Sequence, residues 1–439
     1  WYRYHALFAE ALRYRLEHAH ADLVPILHQR ASLWYAERGQ TTQAILHAFS
    51  AHQWEWAADL IERLPVMSFT WGANEHEKVL LRHWLDQLPV DIVGSRPRLS
   101  LSCAQMLWAV ALPAKLVAWL DMAETTLTAS LARHAHEDIS QPIFAPQEWQ
   151  KQENLLGEVI AFRAYLQGFQ ENGAAVLELC QRAFSLLSEE NALIRAHLAL
   201  SKMMAYFTSA NDVVAAIESG LSGSKLAQEA EYAALNMGTV GSTVYFTTTA
   251  GQLCEAHRLA QRAIQLGTQP GGFILPDVGW PMIWQADILR EWNQLDAAHA
   301  LAEEAISLCQ QTGSFVLSLY SVCGYVILMR VHLSRGQLKE ACSALQAVEN
   351  IGRKMSQPIY LYFRSLYTTV DQVRLWLACG EMDRAAQWVR ELDLLMPCSA
   401  PFAHEREEVA CVRFLLATAQ PTACLLYTSP SPRDRQKTR

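Results

Sequence analysis

The sequence predicts an all-α fold in which helical hairpins stack into a right-handed superhelix. The main observation is a run that begins Gly251-Gln252-Leu253 and recurs along the chain. Its start points at residues 171, 211, 251, 293, 336 and 380 lie 40, 40, 42, 43 and 44 residues apart. Periods between about 20 and 50 residues are typical of stacked repeats, which bury their apolar faces against one another. A related run begins earlier, at Gly39.

The recurring run is predicted to form the second helix of each hairpin, which we call helix B. Glycine opens most copies, where it can end the preceding helix, helix A, in a conformation of positive φ. The sixth residue of the run, as at Ala256, is small in nearly every copy and lets the two helices approach closely, whereas Val176 is the exception. The predicted A helices cover residues 153–168, 192–208, 225–248, 280–291, 315–335 and 357–379.

The composition fits a helical protein and disfavours several classes of function. At 439 residues, with 51% apolar and 18% charged residues, the chain is too long for one ordinary core.

The net charge of the chain is −8 although residues 425–439 are basic, so the acidic remainder argues against broad contact with a phosphate backbone. The ten cysteines form no C-x-x-C pair, which supports neither a zinc knuckle nor a redox motif and favours a reducing cytosol. No run of 18 or more uncharged apolar residues occurs, so the sequence predicts no membrane-spanning helix.

Polar and proline-rich breaks divide the chain into five predicted segments. These are residues 1–24, 25–133, a polar insertion at 134–150, the main repeats at 151–424, and a tail at 425–439. The tail shares nothing with the repeats and resembles the translation of a sequencing adapter. A genuine basic, disordered tail is the alternative. The first residues read as the middle of a domain, so we expect an N-terminal truncation.

The N-terminal segment resembles a known family. The matching stretches are YRYHALFAEALRYRL at residues 2–16, LHQRASLWYAERG at 27–39, AILHA at 44–48 and AADLIE at 57–62. They are similar to the region that follows the nucleotide-binding module of MalT-like regulators, which are large LuxR-type transcription activators built on a signal-transducing ATPase. The resemblance implies that residues 1–24 close a winged-helix domain and that a tetratricopeptide-like superhelix follows. It also implies that ATP binds in a module upstream of this chain, which itself holds no cofactor.

No catalytic, cofactor-binding or metal-binding residue is predicted. The nearest approach to a phosphate-binding loop, Gly220 to Leu226, has the wrong glycine spacing and is interpreted as a turn between repeats. Neither His136-Glu137 nor His404-Glu405 completes the H-E-x-x-H pattern of a zinc hydrolase, and no G-x-S-x-G motif occurs. The chain is therefore not expected to be an enzyme.

Aromatic residues of three A helices form the candidate ligand-binding surface. They would suit an inducer or a partner peptide, because ligand sites combine aromatic walls with a few polar groups. The alternative for each residue is packing between helices. The loop from Gly267 to Gly279, which breaks the repeat, is a second place where specificity could lie. The candidate residues are Trp280, Trp284, Tyr320, Tyr325, Tyr360, Tyr362 and Arg364.

The function expected from this resemblance is that of the sensor and oligomerisation arm of a cytoplasmic transcription activator. Its partners would be a small-molecule inducer or a regulatory protein. Self-association is expected in the full-length protein, DNA contact only through a C-terminal module missing here, and no membrane contact. The alternative is a stand-alone helical-repeat scaffold that docks another protein. An upstream ATPase and a downstream helix-turn-helix in the gene would distinguish the first from the second.

Overall fold

The computed structural model describes residues 6–64, 75–108, 113–135, 146–168, 172–208, 212–311, 315–354, 369–395 and 401–418. Within these ranges the chain is built of α-helices, together with short 3-10 turns and an isolated antiparallel bridge between Thr268 and Ile274. The predicted all-α fold of stacked hairpins is confirmed. The 425–439 tail and residues 136–145 of the predicted insertion lie outside the described ranges.

The chain divides into two compact units, residues 1–159 and residues 160–439. The helices of the first unit are short, and their core contains Ile45, Ile61, Leu81 and Trp84. In chain order they are α1 (Ala6–Ala19), α2 (Leu23–Glu37), α3 (Thr41–Ser50), α4 (Trp54–Glu62), α5 (Glu75–Gln87), α6 (Val90–Ser95), α7 (Pro97–Trp108), α8 (Pro113–Ala135) and most of α9 (Pro146–Gln167). Helix therefore extends into both ends of the predicted 134–150 insertion.

The second unit contains the regular repeats. Its helices are α10 (Gly173–Leu186), α11 (Ala192–Thr208), α12 (Val213–Glu229), α13 (Ala233–Thr249), α14 (Leu253–Gly267), α15 (Gly279–Glu291), α16 (Leu295–Gln310), α17 (Phe315–Ser334), α18 (Leu338–Gly352), α19 (Thr369–Cys379), α20 (Met382–Leu395) and α21 (Pro401–Ala417). Each even-numbered helix from α10 to α20 begins two residues after a start point of the recurring run. The B helices are thus confirmed. The odd-numbered helices from α11 to α19 are A helices, and successive A helices contact one another, as α13 does α15. Helix α21 also returns to contact α11.

One predicted A helix has the wrong start. Residues 225–229 belong to the B helix α12, and the following A helix begins only at Ala233, after Glu231 in a left-handed conformation (φ 54°). The Gly220–Leu226 segment is accordingly helical and not a turn. Its glycines serve close packing, since a Cβ at Gly220 would lie 2.2 Å from Thr243 Oγ1 and one at Gly223 would lie 3.0 Å from Ala199 Cβ.

The junction between the helices of a hairpin uses a repeated backbone turn. Gly251, Gly336 and Gly380 have φ of 78°, 71° and 76°, and Asn293 takes the same place with φ 59°. The next N–H reaches back to the end of the A helix, as when Gln252 donates to the Thr247 carbonyl at 3.1 Å. This 6→1 hydrogen bond is the Schellman pattern that ends helices. The glycine prediction is therefore confirmed at these junctions.

The small residue of the run lies where the helices touch. Ala256, Ala298, Ala341 and Ala385 are completely buried, and so is the larger Val176. Helix α17 is apolar over Val316–Ser334, long enough to cross a membrane, but 67% of its most apolar window is buried inside the protein. Its place between α16 and α18 makes it a core helix of the array.

Candidate functional site

Trp280 and Trp284 of α15 lie in the core of the second unit. Each indole is 1% exposed. The Trp280 ring stacks on Tyr320 of α17, with centroids 4.1 Å apart, and its Nε1 donates to Ser242 Oγ of α13 at 3.2 Å. Trp284 packs on Tyr245, with ring centroids 4.4 Å apart. The packing alternative therefore describes both tryptophans, and neither offers a free ring face to a ligand in this conformation.

Of the other candidate residues, the structure describes Tyr320 and Tyr325. Tyr320 is enclosed by its neighbours, and burial, reinforced by Asp277, raises the pKa of its phenol well above the usual value. Tyr325 is half-buried and accepts a hydrogen bond from Gln310 Nε2 at 3.3 Å. Tyr360, Tyr362 and Arg364 lie outside the described residues. Ligand binding by this set remains a prediction, and alanine substitution of Trp284 and Tyr320 would report on folding as well as on binding.

The 267–279 loop ends in a 3-10 turn, Pro276–Val278, that contacts helices α13 to α16. Its tip is a tight turn in which Gly271 and Gly272 have φ of 101° and 84°, and Gln269 N–H donates to the Phe273 carbonyl at 2.8 Å. Behind the tip, Asp277 is largely enclosed, and burial raises the pKa of its carboxyl. Asp277 in turn contributes to the raised pKa of Tyr232, which burial carries to about 12. The charge of Asp277 thus acts on the phenols of Tyr232 and Tyr320, and perturbed pKa values of this kind are more common at functional sites than elsewhere.

A buried charge network connects the A helices α15, α17 and α19. We define it as Asp287, Arg290, Arg330, Asp371 and Arg374. Arg330, 2% exposed, donates from Nη1 to Asp287 Oδ2 at 2.6 Å and from Nε to Asp371 Oδ2 at 2.7 Å. Arg290 Nε pairs with Asp287 Oδ1 at 2.7 Å, and Arg374 Nη1 with Asp371 Oδ1 at 3.3 Å. The guanidinium of α17 therefore ties together one carboxylate from each neighbouring A helix.

The network contains three arginines and two aspartates, and Arg290 Nη2 also pairs with the exposed carboxylate of Glu291. Burial alone would lower the pKa of Arg330, but Asp287 and Asp371 outweigh it and raise the pKa further above its ordinary value. Arg374 is different: burial lowers its pKa, and the positive charges of Arg413, Arg330 and Arg290 add to this lowering although Asp371 opposes it. Arg330 Nη2 is buried and makes no hydrogen bond.

Sequence reasoning missed this network, although a signal was available. Asp287, Arg330 and Asp371 stand 43 and 41 residues apart, close to one repeat; Asp287 and Arg330 occupy equivalent places in their A helices, and Asp371 lies about one helical turn earlier in the next A helix. The repeat is recognisable in the sequence from its B helices, where apolar and small residues recur. Because the charge changes sign from one repeat to the next, a comparison of the repeats finds no similar residue at these positions. Only the spacing of the charged residues, about one repeat, indicates that they belong together.

A small pocket opens between α12, α13 and α14. Its volume is about 190 Å³, and leucines and Val240 form its walls while Lys225, Gln228 and Arg262 stand at the polar side. Ligand sites for drug-sized molecules occupy roughly 300–1,000 Å³. The pocket is therefore too small for a sizeable inducer. Among the described residues, no group of three His, Cys, Asp or Glu side chains is placed to hold a metal ion.

The family of the chain follows from its match to a known repeat region. The family described as the MalT-like TPR region matches residues 157–426, more than half of the chain and nearly all of its second unit. The chain belongs to this family. Membership explains the alternating A and B helices, because tetratricopeptide-like hairpins are the repeating unit of such regions, while the 40- to 44-residue step is longer than the roughly 34 residues of an ordinary tetratricopeptide repeat.

Curated relatives extend the similarity beyond the repeats. The regulator MalT of Vibrio parahaemolyticus is 21% identical over 404 residues, 89% of this chain and 40% of its own length. The serine/threonine-protein kinase PknK of Mycobacterium tuberculosis is 37% identical over 134 residues, 29% of this chain and 11% of its own. The chain thus spans less than half the length of these relatives.

A solved structure shares the fold. It is a signal-transduction ATPase with numerous domains and a tetratricopeptide-repeat sensor, from Pyrococcus horikoshii. The TM-score is 0.53 at 12% identity, with 85% of this chain and 54% of that chain covered. At this identity the likeness concerns the fold alone.

Proposed function

We propose that the chain is the sensor arm of a MalT-like, LuxR-type transcription activator in the cytoplasm. The observation that carries the proposal is the similarity to MalT regulators along 89% of the chain, combined with membership in the MalT-like TPR family. In the full-length protein an upstream module would bind ATP, a C-terminal module would bind DNA, and self-association would follow activation. This arm would bind an inducer or a regulatory protein and would catalyse nothing.

The buried charge network suggests how the binding of a ligand would be communicated from one A helix to the next. Arg330 pairs with carboxylates on both neighbouring A helices, so the positions of α15, α17 and α19 depend on one another. A ligand that displaces one of these helices changes the pairing of the other two. Interfaces of this kind have discrete arrangements, and a ligand can shift their populations only by binding one arrangement more tightly.

The proposal is tested first on the gene. The complete reading frame is recovered with its flanking DNA and expressed with a reporter driven by the adjacent promoter. We expect an ATPase module before residue 1, a helix-turn-helix after the repeats, and reporter activity that depends on both. A reading frame without these modules would favour the alternative, a stand-alone scaffold that docks another protein.

A second experiment tests the sensor role of the network. Arg330→Lys keeps the positive charge but cannot pair two carboxylates with the geometry of a guanidinium. The reporter response to inducer-containing extract should fall in this variant while the expression level is kept. Arg335→Lys is the matched control, because Arg335, directly after α17, pairs on the surface with the fully exposed Asp296 of α16. Equal responses of the two variants would contradict a signalling role for Arg330.

A further inference from the structure

Two cysteines from different helices lie side by side on the surface of the second unit. Cys342 is in the first turns of α18, and Cys379 is the last residue of α19. Their sulfur atoms are 3.8 Å apart, and both residues are exposed. A disulfide has an S–S distance of about 2.05 Å, so the sulfurs need to approach by only about 2 Å.

The pair differs from the other described cysteines. Cys180 and Cys309 are buried, and burial raises the pKa of each thiol to about 12. Cys254 is exposed on α14, but its sulfur contacts no other sulfur among the described residues. Access for a dissolved oxidant and a second thiol within reach therefore coincide, in the described part of the chain, at Cys342 and Cys379.

We propose that Cys342 and Cys379 form a redox site that a hydroperoxide oxidises to a disulfide and a thiol reductant restores. In the first step a Cys342 thiolate attacks the peroxide oxygen, giving a sulfenic acid and releasing an alcohol or water. In the second step the Cys379 sulfur attacks the sulfenic sulfur and displaces water. Each sulfur loses one electron, the peroxide gains both, and the two thiol protons leave in the products.

The surroundings of the two thiols indicate which cysteine reacts with the peroxide and which one then forms the disulfide. Burial raises the pKa of the Cys379 thiol, and its hydrogen bond with Cys342 and the negative charge of Glu381 add to this shift. Only the thiolate is nucleophilic, and a shift in this direction keeps Cys379 protonated. Either sulfur could donate in the hydrogen bond between them, so a protonated Cys379 can donate to the Cys342 sulfur. Cys342 is therefore the attacking residue and Cys379 the resolving one.

The disulfide would fasten a B helix to the A helix of the next repeat. It would join two residues that are 37 positions apart in the sequence. It would also hold α19, which carries Asp371 of the charge network, in place against α18. Oxidation would thus restrain the relative movement of consecutive hairpins at this end of the repeats.

The test uses the full chain with Cys398→Ser and Cys424→Ser, which removes the two cysteines outside the described residues. After titration with hydrogen peroxide, peptides are mapped without reduction. We expect one cross-linked peptide containing Cys342 and Cys379, a mass lower by two hydrogen atoms, and full reversal by dithiothreitol. Loss of Cys379 should keep pace with loss of Cys342, because the second step is intramolecular, whereas oxidation of Cys254 should give no cross-link within the chain.

Single variants separate this site from general surface oxidation. Cys379→Ser should leave Cys342 to accumulate as a sulfenic acid that dimedone traps, whereas Cys342→Ser should slow the oxidation of Cys379 to the rate of Cys254. The cross-linked form should melt about 5 °C higher than the reduced form, since the closed loop restricts the unfolded chain. The proposal fails if the cross-link does not form, or if Cys379 is lost as fast in the Cys342→Ser variant as in the parent chain.

Discussion

Arg330 Nε and Asp371 Oδ2 lie 2.7 Å apart, and both side chains are at most 2% exposed. Such a pair has lost its hydration and is stabilised mainly by the partner's charge and hydrogen bonds. The same guanidinium also holds Asp287. The stability of the last repeats therefore depends on keeping this set of charges complete.

Asp371→Ala should destabilise the second unit by about 3–5 kcal/mol, because it leaves the buried Arg330 without one of its two carboxylates. Urea denaturation followed by circular dichroism measures the change. The control is Glu381→Ala, which removes an exposed i,i+3 partner of Arg384 and should cost no more than about 0.5 kcal/mol. Similar losses of unfolding free energy in both variants would show that burial does not increase the contribution of the network to stability.

Gly241 and Gly251 should respond differently to substitution. A Cβ at Gly241 would lie 2.1 Å from Trp280 Cδ1, so Gly241→Ala should displace the indole and cost about 1–3 kcal/mol. Nothing lies within 4 Å of a Cβ at Gly251, but φ there is 78°, so Gly251→Ala should cost about 1 kcal/mol through backbone strain.

Asparagine distinguishes the two causes, because it tolerates the left-handed conformation and occupies it naturally at Asn293 (φ 59°). Gly251→Asn should therefore be milder than Gly251→Ala, whereas Gly241→Asn should be worse than Gly241→Ala. Melting temperatures of the four variants provide the comparison. The reverse order at either position would refute the assigned cause.

Asp277→Asn should stabilise the protein at neutral pH. Burial raises the pKa of Asp277 in the folded state, so the folded chain binds this proton more tightly than the unfolded chain does. Its contribution is most favourable below the unfolded pKa of about 4 and is lost as the pH rises through the folded pKa. Asparagine does not ionise, so the Asp277→Asn variant should not lose stability in this pH range for this reason. Melting curves from pH 4 to 8 would contradict the assignment if both proteins changed in parallel.

His197 should make the protein sensitive to acid. Burial lowers the pKa of its imidazole to about 4 in the folded state, and a hydrogen bond to the Leu193 carbonyl only partly opposes this. Since an unfolded histidine has a pKa of about 6.5, stability should fall as the pH drops from 6.5 toward 4. His197→Gln should flatten this part of the pH profile in calorimetry, and the exposed His20→Gln is the control.

The parts of the fold that could be predicted from the sequence are those set by local chemistry. Gly251 marks a turn because positive φ favours glycine, and Ala256 marks a helix contact because only a small side chain fits there. The start of α13 at Ala233 was missed because Glu231, a residue that rarely adopts positive φ, ends the preceding helix. Gly220 and Gly223 resembled a turn, yet they accommodate neighbouring helices, which depends on residues far along the chain.

The candidate site was harder to predict for a related reason. Trp280 and Tyr320 belong to different repeats, and aromatic residues fill cores as well as binding surfaces, so composition could not decide between them. The Cys342–Cys379 pair has no sequence motif, because the two residues meet only after consecutive hairpins stack. Pairs of this kind depend on the register between helices, which the repeat length constrains only to within a residue or two.

The contact between α21 and α11 has a consequence for how the repeats unfold. In a linear array each unit touches only its neighbours, so the terminal units open first and at little cost. Here the last described helix is anchored to one near the beginning of the second unit. Fraying from the C-terminal end must therefore break a contact between distant parts of the chain, which links the ends of the unit into one cooperative transition.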